Sequence, residues 1–412
     1  MKNKIITIVL CIVMFAVPVL IIPNNETYYN LARYILLLIC GAILFCAFIK
    51  NSKKLEFDKT DICIMIFIIL ALISAICSIN IKKSILGERN RFEGVFTLIT
   101  YSMLYYHAKY YLKPNNKFIN VGLVTYSCIL ILAVIQFYMP TKVIYMLPIF
   151  GKGAHGTMGN TNFMGSFVSM LVPATVLGYL FTGKKKYLLV SILSFFVMLL
   201  CIARSGWVAF VVTFIIIIAY MIKNRSKENF KRFAFIIIGF MLCLAIVKIE
   251  PKSNEIVARK GKRVVSEAKE ANTTGISDRM GSGRILIWKS TYNIIKKYPI
   301  VGCGVDALAD GLMKADLPGL IKFINIYHTS IDKAHNEYLQ IAATIGLPAL
   351  GVYLIFLILI LDKNLKGLLK DKKSTFFFIV ILGYLAQAFF NISTLGVAPI
   401  FWIVLGLSQQ KE

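Results

Sequence analysis

The sequence has 412 residues, of which 58% are hydrophobic and only 16% are charged. Soluble globular domains carry about 25% charged residues, so this composition excludes a soluble protein and indicates a chain that crosses a membrane many times. The formal net charge is +26, from 46 lysines and arginines against 20 aspartates and glutamates. In a membrane chain this excess points to loop orientation and membrane lipids, and not to nucleic acid.

Apolar runs of about 20 residues, long enough to cross a hydrocarbon layer of about 30 Å, recur along the chain. The first run follows "MKNK" and has no small-residue cleavage site behind it, so we expect it to remain as a membrane span. The sequence predicts an all-α, polytopic membrane protein with about twelve transmembrane helices. The predicted spans are 5–22, 31–49, 61–79, 95–112, 118–139, 163–181, 187–203, 205–222, 233–249, 336–361, 374–391 and 395–409.

The spans divide the chain into three predicted parts. Transmembrane helices 1–9 occupy residues 1–249, a long loop occupies 250–335, and transmembrane helices 10–12 occupy 336–412. With a cytoplasmic N-terminus, the Lys/Arg-rich linkers "KNSKKLEFDKT", "KPNNK", "TGKKK", "KNRSKENFKR" and "DKNLKGLLKDKK" all lie inside, as the positive-inside rule requires. We therefore expect a multi-pass cell-membrane protein with both termini cytoplasmic and the long loop extracytoplasmic.

One short loop departs from this charge rule. The segment "NIKKSILGERNRFEG" falls outside by parity, yet it carries four basic residues, including Arg89 and Arg91. A miscounted span or a site that needs cations would explain the exception. Arg89 and Arg91 are therefore candidate contacts for an anionic substrate.

The next polar positions stand at the ends of predicted spans. In "GKGAHGTMGNTNFMGSF", Asn160 and Asn162 present amides where a span begins, which fits a capped turn or a binding site. Arg204, in "LLCIARSGWVAF", is flanked by long apolar runs. Its permanent charge requires an anionic partner, a hydrated cavity or the membrane interface.

The long loop predicts amphipathic helices in "NEIVARKGKRVVSEAKEA" and "GRILIWKSTYNIIKKYP". Such helices lie in the headgroup layer or cover a cavity. Arg284 opens the second helix, where free N–H groups already favour an anion and a guanidinium adds a fork suited to phosphate. Trp288, one turn later, reads as an interfacial anchor.

The loop ends in "AHNEYLQIAATIGLPALGVYL", where three polar residues meet the tenth predicted span. His335 is a candidate for the reacting centre, and Asn336 and Glu337 are candidate supporting residues. No HExxH pattern occurs, and the loops hold no paired aspartates for a divalent ion, so neither a metal nor a cofactor is predicted.

The ordered blocks "GTMGNTNFMGSFVSMLVP", "ARSGWVAF", "GSGRILIWKSTYNIIKKYPIVGCGVDAL" and "AHNEYLQIAATIGLPALGVYLIFL" resemble the signature blocks of the O-antigen ligase/polymerase family. The segments "GERNRFEGVFTLITY" and "AQAFFNISTLGVAPIFWIVLGL" are similar to an early block and to the closing spans of that family. The resemblance covers roughly residues 87–407. This chain has Thr161 where the family usually has Pro, and Ser205 where it often has Gly.

The resemblance implies a membrane glycosyltransferase that moves a glycan from an undecaprenyl diphosphate carrier to a glycan, lipid or cell-wall acceptor on the outer face of the cytoplasmic membrane. Transfer in the family is expected to be independent of metal and to invert the anomeric carbon. Arg204 and Arg284 match the arginines expected to hold the diphosphate. His335 matches the histidine expected near the reacting centre, as a base or as a phosphate-binding cation.

Three alternatives share part of this pattern. A polymerase that joins repeat units on the same lipid carrier, and a protein O-glycosylating ligase, would use the same donor chemistry. A transporter of lipid-linked sugars or anions would place charges near the midplane of several spans, whereas the polar clusters here are predicted at one face.

Overall fold

The computed structural model describes residues 2–22, 29–51, 56–139, 153–275 and 277–410, and their regular structure is helical throughout. In the first part, the helices are α1 (Lys2–Phe15), α2 (Leu31–Asn51), α3 (Lys59–Ile76), α4 (Ile81–Leu86), α5 (Val95–Tyr111), α6 (Asn116–Tyr138), α7 (Thr161–Thr182), α8 (Lys185–Cys201), α9 (Arg204–Asn224) and α10 (Lys227–Ile249). They are followed by α11 (Pro251–Thr274), α12 (Arg284–Lys297), α13 (Leu308–Ala315), α14 (Leu317–Tyr327), α15 (Glu337–Thr344), α16 (Leu347–Gly367), α17 (Lys372–Ala388) and α18 (Ala398–Ser408).

Each predicted span overlaps one of these helices, and the prediction of an all-helical polytopic membrane protein is confirmed. Within the described residues, seven helices are long and apolar enough to cross a membrane: α2, α3, α6, α7, α9, α10 and α16. The helices α1, α5, α8, α17 and α18 are shorter, with 11 to 17 residues. The count of twelve crossings therefore stays a prediction.

The tenth predicted span, 336–361, is not one helix. It breaks after α15, and α16 begins at Leu347. Gly346 lies between them with φ 105°, and a Cβ there would stand 2.0 Å from the carbonyl oxygen of Ile300. At the break, the Leu347 N–H donates to the Pro299 carbonyl at 2.8 Å, which replaces the lost helical bond. The polar start of the span is therefore a separate short helix outside the long apolar one.

The helix α7 is central to the membrane bundle and contacts α8, α9 and α17. Small residues allow α7 and α9 to approach closely at their N-terminal ends. A Cβ on Gly165 would lie 2.7 Å from that of Ala203, and one on Gly206 would lie 3.6 Å from the Gly165 backbone. This packing brings Arg204, the first residue of α9, beside the start of α7.

The loop 250–335 contains α11 to α14, and most of it packs around a second, smaller core. That core is formed by α12, α13, α14 and α15; among the described residues its buried aromatic member is Phe323, and Trp288 packs against it. A backbone bond ties this core to the bundle: the Ile79 N–H, just after α3, donates to the Cys303 carbonyl at 3.1 Å. The start of α12 and the end of the loop lie beside the starts of α7 and α9.

Candidate active site

A cavity of about 260 Å³ lies where the N-terminal ends of α7, α9 and α12 meet the end of the long loop. Helix N-termini present free N–H groups and a positive dipole end, which favour a bound anion. The cavity contains Arg204, Arg284 and His335, three residues that the sequence separates by 80 and 51 positions. Among the described residues, its lining consists of Thr161, Asn162, Ile202, Arg204, Lys260, Arg263, Ser282, Arg284, Ile287, Phe323 and His335.

Arg204 follows a tight turn between α8 and α9, in which Ile202 adopts the left-handed conformation with φ 50°. Both terminal nitrogens of its guanidinium donate to the Glu267 carboxylate: Nη1 to Oε2 at 2.6 Å and Nη2 to Oε1 at 3.2 Å. The same carboxylate accepts from Arg263 Nε at 3.0 Å and from the Gly281 N–H at 3.3 Å. Arg204 is thus bound to an anion, and that anion belongs to α11.

Arg284 differs, because it makes no hydrogen bond or ion pair within the described residues. The turn before it runs through Gly281, Ser282 and Gly283, all with φ between 61° and 83°. A Cβ on Gly283 would lie 2.7 Å from the Tyr327 ring, so the turn needs glycine there. Burial lowers the pKa of Arg284, and the nearby Arg204 charge lowers it further. A partly buried arginine with no counter-ion faces the cavity.

His335 closes the cavity at the end of the loop, in a left-handed conformation with φ 49°. Two bonds fix the residue before it: Trp288 Nε1 donates to the Ala334 carbonyl at 3.1 Å, and the Ala334 N–H donates to Gln340 Oε1 at 2.8 Å. Trp288, read from the sequence as a membrane anchor, therefore positions the histidine segment.

The environment of His335 keeps its imidazole neutral. Burial and the Arg284 charge lower its pKa to about 4, against an opposing effect of Asp332. Its Nδ1 is buried and has no hydrogen-bond partner among the described residues. A neutral imidazole can accept a proton from a substrate hydroxyl.

Lys260 and Arg263 also line the cavity, and sequence reasoning missed both. They lie one turn apart on α11, with Glu267 one turn further on the same face. Burial lowers the pKa of Lys260, and the charges of Arg204 and Arg263 add to the effect. The sequence signal was only the cationic face of an amphipathic helix, which is the ordinary appearance of a solvated surface.

Arg91 and Arg89 lie outside the cavity lining. Arg91 forms an ion pair with Asp332, Nη2 to Oδ2 at 2.6 Å, and its guanidinium lies 5.5 Å from the Phe163 ring centre. Arg89 is exposed. Arg91 thus forms an ion pair with Asp332, three residues before His335. At least one of the basic residues in this loop, which departs from the positive-inside rule, therefore makes a structural contact.

Of the three candidate asparagines, Asn160 and Asn336 are helix N-caps. Asn160 Oδ1 accepts from the Asn162 N–H at 2.7 Å, and Asn336 Oδ1 accepts from the Leu339 N–H at 3.0 Å. Only Asn162 lines the cavity. Asn391 Nδ2 donates to the Asn162 carbonyl at 2.9 Å, which ties the start of α7 to the end of α17.

Glu337 lies apart from His335, in a second cavity of about 70 Å³. Tyr353 donates to its Oε1 at 2.9 Å and Tyr384 to its Oε2 at 3.0 Å. Glu93 and Lys333 line the same space. The structure therefore does not bring Glu337 into the cavity that holds the arginines.

Residues 189–354 match the family whose description is O-antigen ligase. The matched stretch holds Arg204, Lys260, Arg263, Arg284 and His335, whereas Thr161 and Asn162 precede it. The resemblance to the O-antigen ligase/polymerase family is thereby confirmed over residues 189–354. Among curated proteins, no sequence matches this chain significantly.

Proposed function

We propose that this protein, which carries an O-antigen ligase match over residues 189–354, moves a glycan from an undecaprenyl diphosphate carrier to an acceptor on the outer face of the cytoplasmic membrane. The family match supports a membrane transferase of the ligase/polymerase type. The finer proposal is a ligase that works without metal and inverts the anomeric carbon. Its acceptor is a glycan, a lipid or a cell-wall component.

The observation that carries the proposal is the uncompensated charge of Arg284. Its guanidinium faces a cavity that also holds Arg204 and His335. A diphosphate supplies the missing negative charge and accepts the paired N–H bonds of a guanidinium. Because Lys260 and Arg263 add two more cations, the site is built for a strongly charged anion rather than for one carboxylate.

The proposed chemistry divides between the arginines and the histidine. The acceptor hydroxyl oxygen attacks the anomeric carbon from the face opposite the diphosphate, and the bond from that carbon to the phosphate oxygen breaks. Arg284 and Arg204 stabilise the departing diphosphate, whose charge grows in the transition state. His335 takes the hydroxyl proton, for which its neutral form is required.

The test uses purified protein in liposomes with a labelled oligosaccharide on undecaprenyl diphosphate. We expect the label to move to an added acceptor, with release of undecaprenyl diphosphate. Lengthening of the lipid-linked chain without acceptor would assign the polymerase activity instead. Movement of label across the bilayer with no new glycosidic bond would contradict transfer and favour transport.

A further inference from the structure

We propose that a second, apolar cavity in the membrane bundle binds one acyl chain of an anionic phospholipid. This apolar cavity has a volume of about 320 Å³ and is formed mainly by α1, α6, α7, α17 and α18. Among the described residues, it shares no lining residue with the cavity that holds Arg204 and Arg284. The lipid site is therefore separate from the candidate active site, and it does not depend on the proposed transfer reaction.

The walls of the apolar cavity suit a hydrocarbon chain. Its described lining consists mainly of aliphatic, aromatic and methionine side chains and includes no charged residue or histidine. Two of the lining hydroxyls are already bonded to the backbone: Thr175 Oγ1 donates to the Leu171 carbonyl at 2.8 Å, and the Tyr126 hydroxyl donates to the Met14 carbonyl at 3.1 Å. Such walls do not hold water, and an empty space between them loses packing contacts. An apolar chain restores those contacts.

The depth of the apolar cavity matches one leaflet of a bilayer. Its wall on α7 runs from Phe167 to Gly178, which is about 17 Å at a helical rise of about 1.5 Å per residue. One leaflet contributes about 15 Å of hydrocarbon, half of a layer of about 30 Å. A lipid of that leaflet can therefore place one acyl chain along α7 while its headgroup stays at the membrane surface.

The two ends of the apolar cavity differ. At the end nearer the candidate active site, the rings of Tyr126 and Phe167 meet edge to face with their centres 5.2 Å apart, and both residues are buried. At the other end, the lining residues Phe118, Tyr187 and Phe376 are half-buried. The cavity is thus closed towards the active site and accessible at the opposite end.

Lysines surround the accessible end. Lys113, Lys117 and Lys186 each directly precede a residue that lines the apolar cavity. Eight lysines and one aspartate stand in the three linkers that lead into α6, α8 and α17, which are residues 112–117, 183–186 and 368–373. The aspartate, Asp371, caps the start of α17. Lysines at a membrane surface attract anionic headgroups, and the positive-inside rule predicts that this face is cytoplasmic. The charge at the mouth therefore selects an anionic phospholipid.

The same arrangement disfavours the prenyl chain of a lipid-linked glycan as the occupant. In the proposed function, the anionic head of that lipid lies in the cavity of Arg204 and Arg284, at the other end of α7. Its chain would reach the apolar cavity only past the buried Tyr126 and Phe167 rings. A phospholipid that enters between the lysines meets no such obstacle.

The experiment measures lipid retention by the purified full chain in detergent with native mass spectrometry. The probes are dioleoyl phosphatidylglycerol and dioleoyl phosphatidylcholine, which have identical acyl chains and differ in net headgroup charge. We expect one phosphatidylglycerol per chain to bind at least about fivefold tighter than phosphatidylcholine, the effect of one lysine at the membrane surface. Equal affinity of the native protein for the two lipids would overturn the selection of an anionic lipid.

A triple variant tests the lysines at the mouth. The preference for phosphatidylglycerol should be lost when three lysines are neutralised together, as Lys113→Gln, Lys117→Gln and Lys186→Gln. The matched control removes the same charge from exposed lysines beside α9 and α10, helices that contribute no described residue to the lining, as Lys223→Gln, Lys227→Gln and Lys231→Gln. An equal loss of preference in both triple variants would show that only the general surface charge matters and would overturn the site at the mouth.

Two further variants fill the apolar cavity itself. Ala174→Phe on α7 and Leu123→Trp on α6 each enlarge a half-buried lining side chain, so one remains informative if the other fails to fold. Each should weaken retention of both lipids by about tenfold, because the added ring takes the space of the acyl chain. Ala219→Phe, at an exposed position of α9, is the matched control.

Retention that both filling variants leave unchanged would place the lipid elsewhere and overturn the assignment of the apolar cavity. Undecaprenyl phosphate provides the remaining comparison, because it joins an anionic head to a prenyl chain. If it binds tighter than phosphatidylglycerol and both filling variants abolish its binding, the occupant is a prenyl chain and the proposal is wrong. None of these measurements uses glycan transfer, so their failure leaves the proposed function untouched.

Discussion

Two polar clusters flank the segment 332–337, and they balance their charges differently. In the buried cluster, Lys333 is 2% exposed and forms ion pairs with Glu93 and Asp306. Asp306 also accepts from the N–H groups of Glu88 at 2.7 Å and Glu93 at 3.2 Å, which fastens the 88–93 loop to the long loop. Every charge there has a partner from another part of the chain.

The cation-lined cavity shows the opposite arrangement. Arg204 and Arg263 share Glu267, Lys260 lies beside them, and Arg284 has no partner within the described residues. Buried charges that are fully paired serve the fold, whereas cations left without counter-ions around a larger cavity are costly unless a ligand supplies the charge. The difference separates a structural cluster from a binding site more clearly than residue type does.

The largest loss of activity is expected from His335→Asn. Asparagine tolerates the left-handed backbone at this position but cannot act as a base at neutral pH. Removal of a general base should reduce glycan transfer by about 100- to 10,000-fold. His328→Asn is the matched control, since His328 is exposed and also has a positive φ, 54°. Equal activity of the two variants would remove His335 from the reacting centre.

The largest loss of stability is expected from Lys333→Met in the buried cluster. The change leaves Glu93 and Asp306 buried without a cation, and breaking such a pair costs about 3–5 kcal/mol. Thermal unfolding in detergent should show a clear drop in the transition temperature. The control Lys322→Met, at an exposed pair with Asp278, should change stability by less than about 1 kcal/mol. Similar unfolding of both variants would contradict the structural role of the cluster.

Arg284→Ala tests the cation-lined cavity, the second of the two regions compared. Transfer should fall by about 100- to 1000-fold, the usual effect of removing one group that stabilises a transition-state anion. Stability should be unchanged or slightly higher, because no native partner is lost. Arg279→Ala, an exposed arginine five residues earlier, serves as the control for charge and loop position. A destabilised Arg284→Ala protein would show that this arginine supports the fold.

Much of the membrane fold could be predicted from the sequence, because a run of apolar residues is a local property. The break before Leu347 also had a local signal, since Gly346 and the following "LP" end one helix and start another. The sequence carried no local signal for the hydrogen-bond partners of Glu337. Tyr353 and Tyr384 lie 16 and 47 residues away, and only the packing of α16 and α17 brings them to the carboxylate.

The candidate site divides in the same way. Arg204 could be proposed from sequence because a charge beside an apolar run needs an explanation, and Arg284 because it opens a predicted helix. His335 stands among polar residues where a span begins, and the family resemblance implies a role for all three. Lys260 and Glu267 could not be proposed, since α11 carries many charges and the sequence does not show which face meets the cavity. That face is chosen by the docking of α11 against the start of α9, a tertiary contact that no periodicity specifies.

The smallest predicted effect is a shift in pH dependence. Burial and then the Arg284 charge lower the pKa of His335 to about 4. A bound diphosphate offsets Arg284, so the pKa of His335 should rise in the complex, while Asp332 continues to raise it and Arg91 and Lys333 to lower it. The pH below which kcat falls, its acid limb, should therefore lie about one pH unit above the pH below which kcat/KM falls.

The direction in which the transfer rate changes with pH distinguishes the two possible roles of His335. A base must be neutral, so the transfer rate falls as the pH drops through the pKa of His335 and is maximal above that pKa. A phosphate-binding cation must be protonated, so transfer would instead rise as the pH falls. In that case both kcat and kcat/KM would rise towards low pH, and the protonated imidazole would donate to phosphate instead of accepting the hydroxyl proton. The same measurement on Lys333→Met should keep the sign, reduce the amount of folded enzyme and move the limb to higher pH, because the Lys333 charge lowers the pKa of His335.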